Sequence, residues 1–171
     1  TWAGLYRYTM SDLLEVDGKF NSIPTLHMIQ KINGIVTMTG EKLHERQFIS
    51  AVEDASKATG KKLKFYIGFA DIEISAYHFY YEFEDQNITQ AEADEFNKLV
   101  DENLKKVNIE YEAKRASFRV KDSIAHILVE NSFEKFKARC IDEGARDGQF
   151  KLNILLQDEN RHAKFKDLVK K

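Results

Sequence analysis

The chain has 171 residues, room for one domain or for one domain with the edge of another. Hydrophobic residues make up 43% and charged residues 32%, and the formal net charge of −2 gives no electrostatic case for nucleic-acid binding. No apolar run approaches the roughly 20 residues that cross a bilayer, the opening Thr1-Trp2-Ala3-Gly4-Leu5-Tyr6 lacks the pattern of a signal peptide, and the single cysteine, Cys140, excludes an internal disulfide and fits a reducing, cytoplasmic setting. The sequence opens on Thr1 and on strand-like material, so it reads as a piece of a longer protein; removal of an initiator Met is the alternative.

Three short apolar runs come first, Leu13–Val16, Leu26–Ile29 and Ile35–Met38, separated by the turn-rich stretches Asp17–Ser22 and Lys31–Gly34. Runs bounded in this way by Gly, Asn and Pro read as strands. Glu45–Thr59 places Phe48, Val52 and Ala55 on one face, which predicts an amphipathic helix ended by Gly60. Leu63–Ile72 and Ala76–Glu84 follow as neighbouring antiparallel strands; in the second, Tyr77, Phe79, Tyr81 and Phe83 alternate with Ala76, His78, Tyr80 and Glu82.

Thr89-Gln90-Ala91-Glu92 has the form of a capping box that opens a helix running to about Leu104. Asn108–Arg115 reads as a shorter helix, Ile124–Val129 as a strand, and Ser132 as the cap of a helix over Phe133–Glu143. The turn Arg146–Gln149 and a short apolar stretch precede a last helix near Asn160–Val169. The spacing of Phe165, Leu168 and Val169 makes its basic residues a solvated face rather than a nucleic-acid site. Strands and helices interleave without steady βαβ alternation, so the predicted class is α+β: a small mixed or antiparallel sheet with helices packed on it, after a short β-segment.

The five histidines, at positions 27, 44, 78, 126 and 162, show no helical metal-ligand spacing, and no metal site is predicted. Nucleophile elbows and phosphate loops of the P-loop type are absent from the sequence. Three segments remain as candidates. Asp12, between a turn and a strand, could accept hydrogen bonds from ribose hydroxyls; closing a turn is the plainer reading. The glycines flanking Ile35–Met38 suit a backbone that bends or passes close to a ligand, or an ordinary surface hairpin. Lys151, held by the glycine-bounded loop Gly144–Lys151, could bring a point charge to a phosphate, or could be a solvated loop lysine.

In this order the segments resemble the auxin-responsive acyl-acid amido synthetases of the adenylate-forming superfamily. Gly4-Leu5-Tyr6-Arg7-Tyr8 with Asp12 looks like that family's G-L-Y-R-Y-x-x-G-D segment. Lys31-Ile32-Asn33-Gly34 with Thr39-Gly40-Glu41-Lys42-Leu43 is similar to its hinge and following turn. Asn108–Arg115 matches N-x-x-Y-x-x-x-R, and Gly144–Lys151 resembles G-A-R-x-G-Q-F-K. Two departures stand out. Ser11 replaces the Gly before the Asp, and Leu152-Asn153-Ile154-Leu155 replaces a Pro- and Arg-containing continuation.

The resemblance implies residues 1–30 as the end of a large amino-terminal adenylating domain with the hinge, and residues 31–171 as the carboxy-terminal lid. It implies that Asp12 holds the ribose, that Tyr6 and Arg7 lie beside the nucleotide, that Lys31 is the hinge, and that Lys151 neutralises phosphate charge during adenylation. ATP with magnesium would serve the full-length enzyme, whose substrates would be a carboxylic acid and an amine or amino acid. The missing amino-terminal domain would be this chain's partner, and the isolated chain is expected to be inactive. The rival readings are a binding module presenting the aromatic segment Phe79–Phe83 to a partner, and a degenerate, non-catalytic member of the same family.

Overall fold

A computed structural model describes residues 12–31, 34–144 and 153–170. The chain divides into two compact units, Thr1–Gly34 and Ile35–Lys171.

In the first unit, β1 (Asp12–Phe20) and β2 (Ile23–Lys31) form an antiparallel hairpin. The sequence suggests a wide turn over Asp17–Ser22, but β1 continues to Phe20 and only Asn21 and Ser22 turn. Gly18 marks a bulge instead, because the register slips between Val16 and Gly18. Asn21 takes the positive φ, 55°, that the turn requires and that Asn tolerates better than most residues. Leu14 lies opposite Met28 and Val16 opposite Leu26, and all four side chains are exposed.

The second unit is α+β. It runs β3 (Ile35–Val36), β4 (Leu43–His44), α1 (Glu45–Thr59), β5 (Leu63–Asp71), β6 (Ala76–Phe83), α2 (Gln90–Val107), α3 (Ile109–Ala116), β7 (Ile124–Ile127), α4 (Ser132–Asp142), β8 (Leu155–Leu156) and α5 (Glu159–Lys166). The main sheet has the order β7-β6-β5-β8. Its centre is the antiparallel pair β5–β6, and each flanking strand is parallel to its neighbour. The sheet is therefore mixed.

Alternation along β6 divides the core. Tyr77, Phe79, Tyr81 and Phe83 join Phe48, Ala51, Val52 and Ala55 of α1, Ala93, Phe96 and Val100 of α2, and Tyr111 of α3. Tyr80, with Ile67 and Phe69 of β5, joins Phe136 of α4 and Phe165 of α5. Both faces of the sheet are thus covered, which is why β6 is aromatic on both sides rather than half polar. The alternation predicted for this strand holds, as does the helix Glu45–Thr59, closed by Gly60 at φ 70°. The Thr89–Glu92 capping box is present, and α2 extends past Leu104 to Val107.

Other boundaries differ for local reasons. β3 stops at Val36 because Thr37–Gly40 turn to bury Glu41. Ser132 does not cap α4. Asn131 takes that place at φ 58°, and Glu82 of β6 supplies the missing acceptor: its carboxylate takes the N–H of Asn131 at 2.8 Å, the N–H of Ser132 at 3.0 Å, and the Ser132 hydroxyl. The helix α5 starts at Glu159, capped by Asp158, and ends at Lys166. Beyond it Val169 pairs with Leu128, and Leu168 and Lys170 hydrogen-bond to Val129 and Ile127. The turn expected at Arg146–Gln149 lies outside the described residues.

Candidate functional site

Tyr6, Arg7 and Lys151 lie outside the described residues. Asp12 and Lys31 are described in their backbone: they are cross-strand partners that open and close the β1–β2 hairpin. The candidate ribose ligand and the candidate hinge, 19 positions apart in sequence (31 − 12), therefore share one rung.

Within the second unit, the ground on which the Lys151 segment would stand is well defined. β3, which begins just past Lys31, lies beside β8, which begins just past Lys151. β8 is held from two directions. Gly68 of β5 donates its N–H to the Ile154 carbonyl at 2.7 Å, and the Ile154 N–H reaches the Glu45 carboxylate of α1 at 3.1 Å. Gly68 permits this approach: a Cβ there would meet a Leu155 methyl and the Phe79 ring at 3.0 Å. Burial raises the Glu45 carboxyl above its usual range, against the hydrogen bonds from Ile154 and Leu155.

The turn after β3 and the Asn108–Arg115 segment form one polar network. Glu41 is fully buried, and its carboxylate accepts from Met38 N–H and Thr39 N–H at 2.8 Å, from the Thr39 hydroxyl at 3.2 Å and from the Tyr77 hydroxyl at 2.5 Å. Asn108 caps α3 through the Tyr111 N–H and donates its amide to the Glu41 carbonyl at 3.0 Å and to Gln47 at 3.0 Å. Tyr111 then donates to Asp101 at 2.6 Å, and Arg115 grips the same carboxylate at 3.0 and 3.2 Å. Burial works against the Asp101 anion, but Arg115, Lys105 and Tyr111 hold its carboxyl below the usual range. In these two motifs the polar residues hold the turn, α2 and α3 together.

Phe79, Tyr80, Tyr81 and Phe83 are all buried in the sheet, so they present no face to a partner. That observation counts against the binding-module reading.

Sequence spacing missed one cluster. His78 of β6, His126 of β7 and His162 of α5 meet on the sheet face that carries α5. Nδ1 of His78 lies 2.8 Å from Nε2 of His126, and the Tyr80 hydroxyl lies 2.8 Å from Nε2 of His162. Burial, then the neighbouring His78, lowers both His126 and His162 to about 4. The one legible signal was that His78 and Tyr80 share a strand face; His126 and His162 arrive there only through tertiary pairing. Among the described residues, no group of three or more His, Cys, Asp or Glu side chains is arranged to hold a metal ion. No helix among them is long and apolar enough to cross a membrane.

Residues 1–31 match the profile of the GH3 family central domain, and residues 46–160 match that of the GH3 family C-terminal domain. The chain is 29% identical over 160 residues to indole-3-acetic acid-amido synthetase GH3.4 of Arabidopsis thaliana, a match over 89% of this chain and 27% of the relative. With 4-substituted benzoates-glutamate ligase GH3.12 of the same plant, identity is 24% over 164 residues, or 88% of this chain and 28% of the relative. The chain thus spans roughly a quarter of the length of these relatives. The solved structure of GH3.15 acyl acid amido synthetase superposes on the whole chain with a TM-score of 0.80 at 19% identity, over 33% of that protein. This likeness extends to the same α+β fold.

Proposed function

The chain belongs to the GH3 family, and on that premise we propose that it is the carboxy-terminal part of an ATP-dependent acyl-acid amido synthetase. One observation carries the reading. The chain matches the family's central domain over residues 1–31 and then its C-terminal domain over residues 46–160, in order, and the gap between the two matches contains the Gly34/Ile35 division between compact units. This is the arrangement expected of a chain that spans a joint between an adenylating body (residues 1–30) and its lid (residues 31–171), with Lys31 as the hinge. The exposed apolar pairs Leu14–Met28 and Val16–Leu26 support it, because the rest of a large domain would cover them.

In this reading the reaction has two steps. A carboxylate oxygen of the acid bonds to the α-phosphorus of ATP and pyrophosphate leaves. The amine nitrogen then attacks the acyl carbon of the mixed anhydride, losing a proton as AMP departs. Asp12 would accept hydrogen bonds from the ribose hydroxyls, and Tyr6 and Arg7 would lie beside the nucleotide. Lys151 would offset phosphate charge in the first step, where a fixed cation in a water-poor site counts most. Magnesium would enter with ATP in the full-length enzyme; no cluster among the described residues fits it. The amine would be an amino acid, as the name of the 4-substituted benzoates-glutamate ligase indicates for that relative.

The test is acid-dependent ATP–pyrophosphate exchange by the full-length protein, with indole-3-acetate and 4-substituted benzoates as first acids. Lys151→Ala should lower exchange by about 100-fold or more, and the isolated 171 residues should show none. Undiminished exchange by the variant would remove the role of Lys151. Absence of exchange with every acid would favour the degenerate-member reading, to which Ser11 and the stretch after Lys151 lend weight.

A further inference from the structure

We propose that His78, His126 and His162 form a proton-sensitive latch that keeps α5 on the sheet near neutral pH and loosens it on acidification. The inference is independent of the ligase reading.

The geometry of one contact carries it. Two imidazole nitrogens 2.8 Å apart, Nδ1 of His78 and Nε2 of His126, can share one proton and no more. A second proton would set two N–H donors face to face. His162 closes the group from α5: its ring centroid is 4.7 Å from that of His78 and 4.9 Å from that of Phe69, the latter nearly parallel at 14°. The Tyr80 ring stacks on His126 at 4.4 Å. Nε2 of His78 is sealed from solvent without a hydrogen bond; the Asp71 carboxylate stands 3.5 Å away.

The charges around the cluster favour at most one added proton, on Nε2 of His78 beside Asp71. β5 contributes one carboxylate, Asp71. β6 contributes His78 and Tyr80, and β7 contributes His126. Besides His162, α5 contributes Lys166, whose positive charge opposes protonation of all three rings. Across the helix layer, Arg139 of α4 pairs with Asp167 at 3.7 Å, and Glu143 pairs with Lys164. One carboxylate therefore serves three rings. The two facing nitrogens also leave no place for a metal ion between them.

The element to be released is short and can open on its own. α5 spans eight residues, and its hold on the sheet rests on Phe165, packed on Phe136 at 4.3 Å and on Phe69 at 5.5 Å, on His162 itself, and on the Leu168–Val129 and Lys170–Ile127 hydrogen bonds. The sign follows from the geometry. A ring that resists protonation in the closed form favours that form above its free pKa of about 6.5, and this advantage is lost as pH falls toward the closed-form value of about 4. At about pH 5.5 each released ring raises the open population about tenfold.

The experiment is amide hydrogen exchange of the 171-residue chain at about pH 7.5 and 5.5, corrected for the intrinsic rate, with histidine ring resonances followed by NMR. Protection of α5 and of Leu168–Lys170 should fall about 100-fold, about tenfold for each of His126 and His162, while β5 and β6 keep theirs. His126→Gln and His162→Gln, which keep a polar group without the titration, should each remove about a tenfold share of that change. Unaltered α5 protection at the lower pH, β5 and β6 opening in step with α5, or full pH dependence in both variants would each overturn the latch. If a variant does not fold, the wild-type resonances decide alone: His126 and His162 titrating near the free value overturn it, and depressed titration together with local opening of α5 upholds it.

Discussion

Asp12 and Lys31 face each other across the open end of the β1–β2 hairpin, as partners on one rung of the antiparallel ladder. If Asp12 holds the ribose and the chain pivots at Lys31, the grip and the pivot are tied by backbone pairing, and the lid would turn about a point fixed to the nucleotide. The pairing does not depend on the carboxylate. In the full-length protein, Asp12→Asn should therefore leave folding intact while removing charge-assisted acceptors worth about 1.5–3 kcal/mol. The KM for ATP in the exchange assay should rise roughly 10- to 100-fold at that energy. A KM within about twofold of wild type would remove Asp12 from the nucleotide site.

The Glu41–Tyr77 contact gives a second expectation, on stability. Burial pushes the Glu41 carboxyl up, but the hydrogen bonds from Tyr77, Met38 and Thr39 outweigh it and leave the group below its usual range. A depressed folded value means that the contribution is fully present above about pH 4.5 and is lost as pH falls through the folded value. Tyr77→Phe removes one of those donors from a fully buried anion and should cost about 1–3 kcal/mol in urea unfolding at neutral pH, with the slope unchanged. The variant should also show a weaker loss of stability between about pH 5 and 3 than wild type. Equal acid sensitivity in the two proteins would mean that Tyr77 does not hold the Glu41 anion.

What the sequence revealed and what it concealed divide along physical lines. Elements set by local periodicity and by their own caps were readable: α1 through Phe48, Val52, Ala55 and Gly60, and α2 through Thr89 and Glu92. Features that depend on distant partners were not. Ser132 carries the signature of an N-cap, yet the acceptor for that helix end is Glu82, 50 residues earlier. The alternation of β6 was plain, but not that both of its faces are covered, because the second cover comes from α4 and α5. His78 and His126 carry no motif spacing, and only the parallel pairing of β6 with β7 brings them together. The nucleotide candidates were legible only through resemblance. A carboxylate beside a turn and a lysine in a loop have no signal of their own until two domains bring them to one ligand.

Gly68 gives the expectation that bears most directly on Lys151. Its N–H bond to Ile154 seats β8 on β5, and the absence of a side chain lets Leu155 and Phe79 close over it. A methyl group there would sit 3.0 Å from both, so Gly68→Ala must push β8 outward or force the Phe79 ring aside, at a cost of about 1–3 kcal/mol. The two responses are separable. Leu155→Ala in the same chain opens space on the β8 side and should return part of the lost stability if β8 is the element that yields, whereas the two costs should add if the Phe79 ring moves. Displacement of β8 also moves the anchor just downstream of Lys151. In the full-length protein, Gly68→Ala should then slow acid-dependent ATP–pyrophosphate exchange by about tenfold while aminolysis of a preformed acyl-adenylate stays near wild type, if Lys151 acts in the first step alone. Equal losses in the two half-reactions would show that the substitution acts through the fold as a whole. An unchanged exchange rate in a destabilised variant would mean that β8 does not set where Lys151 acts.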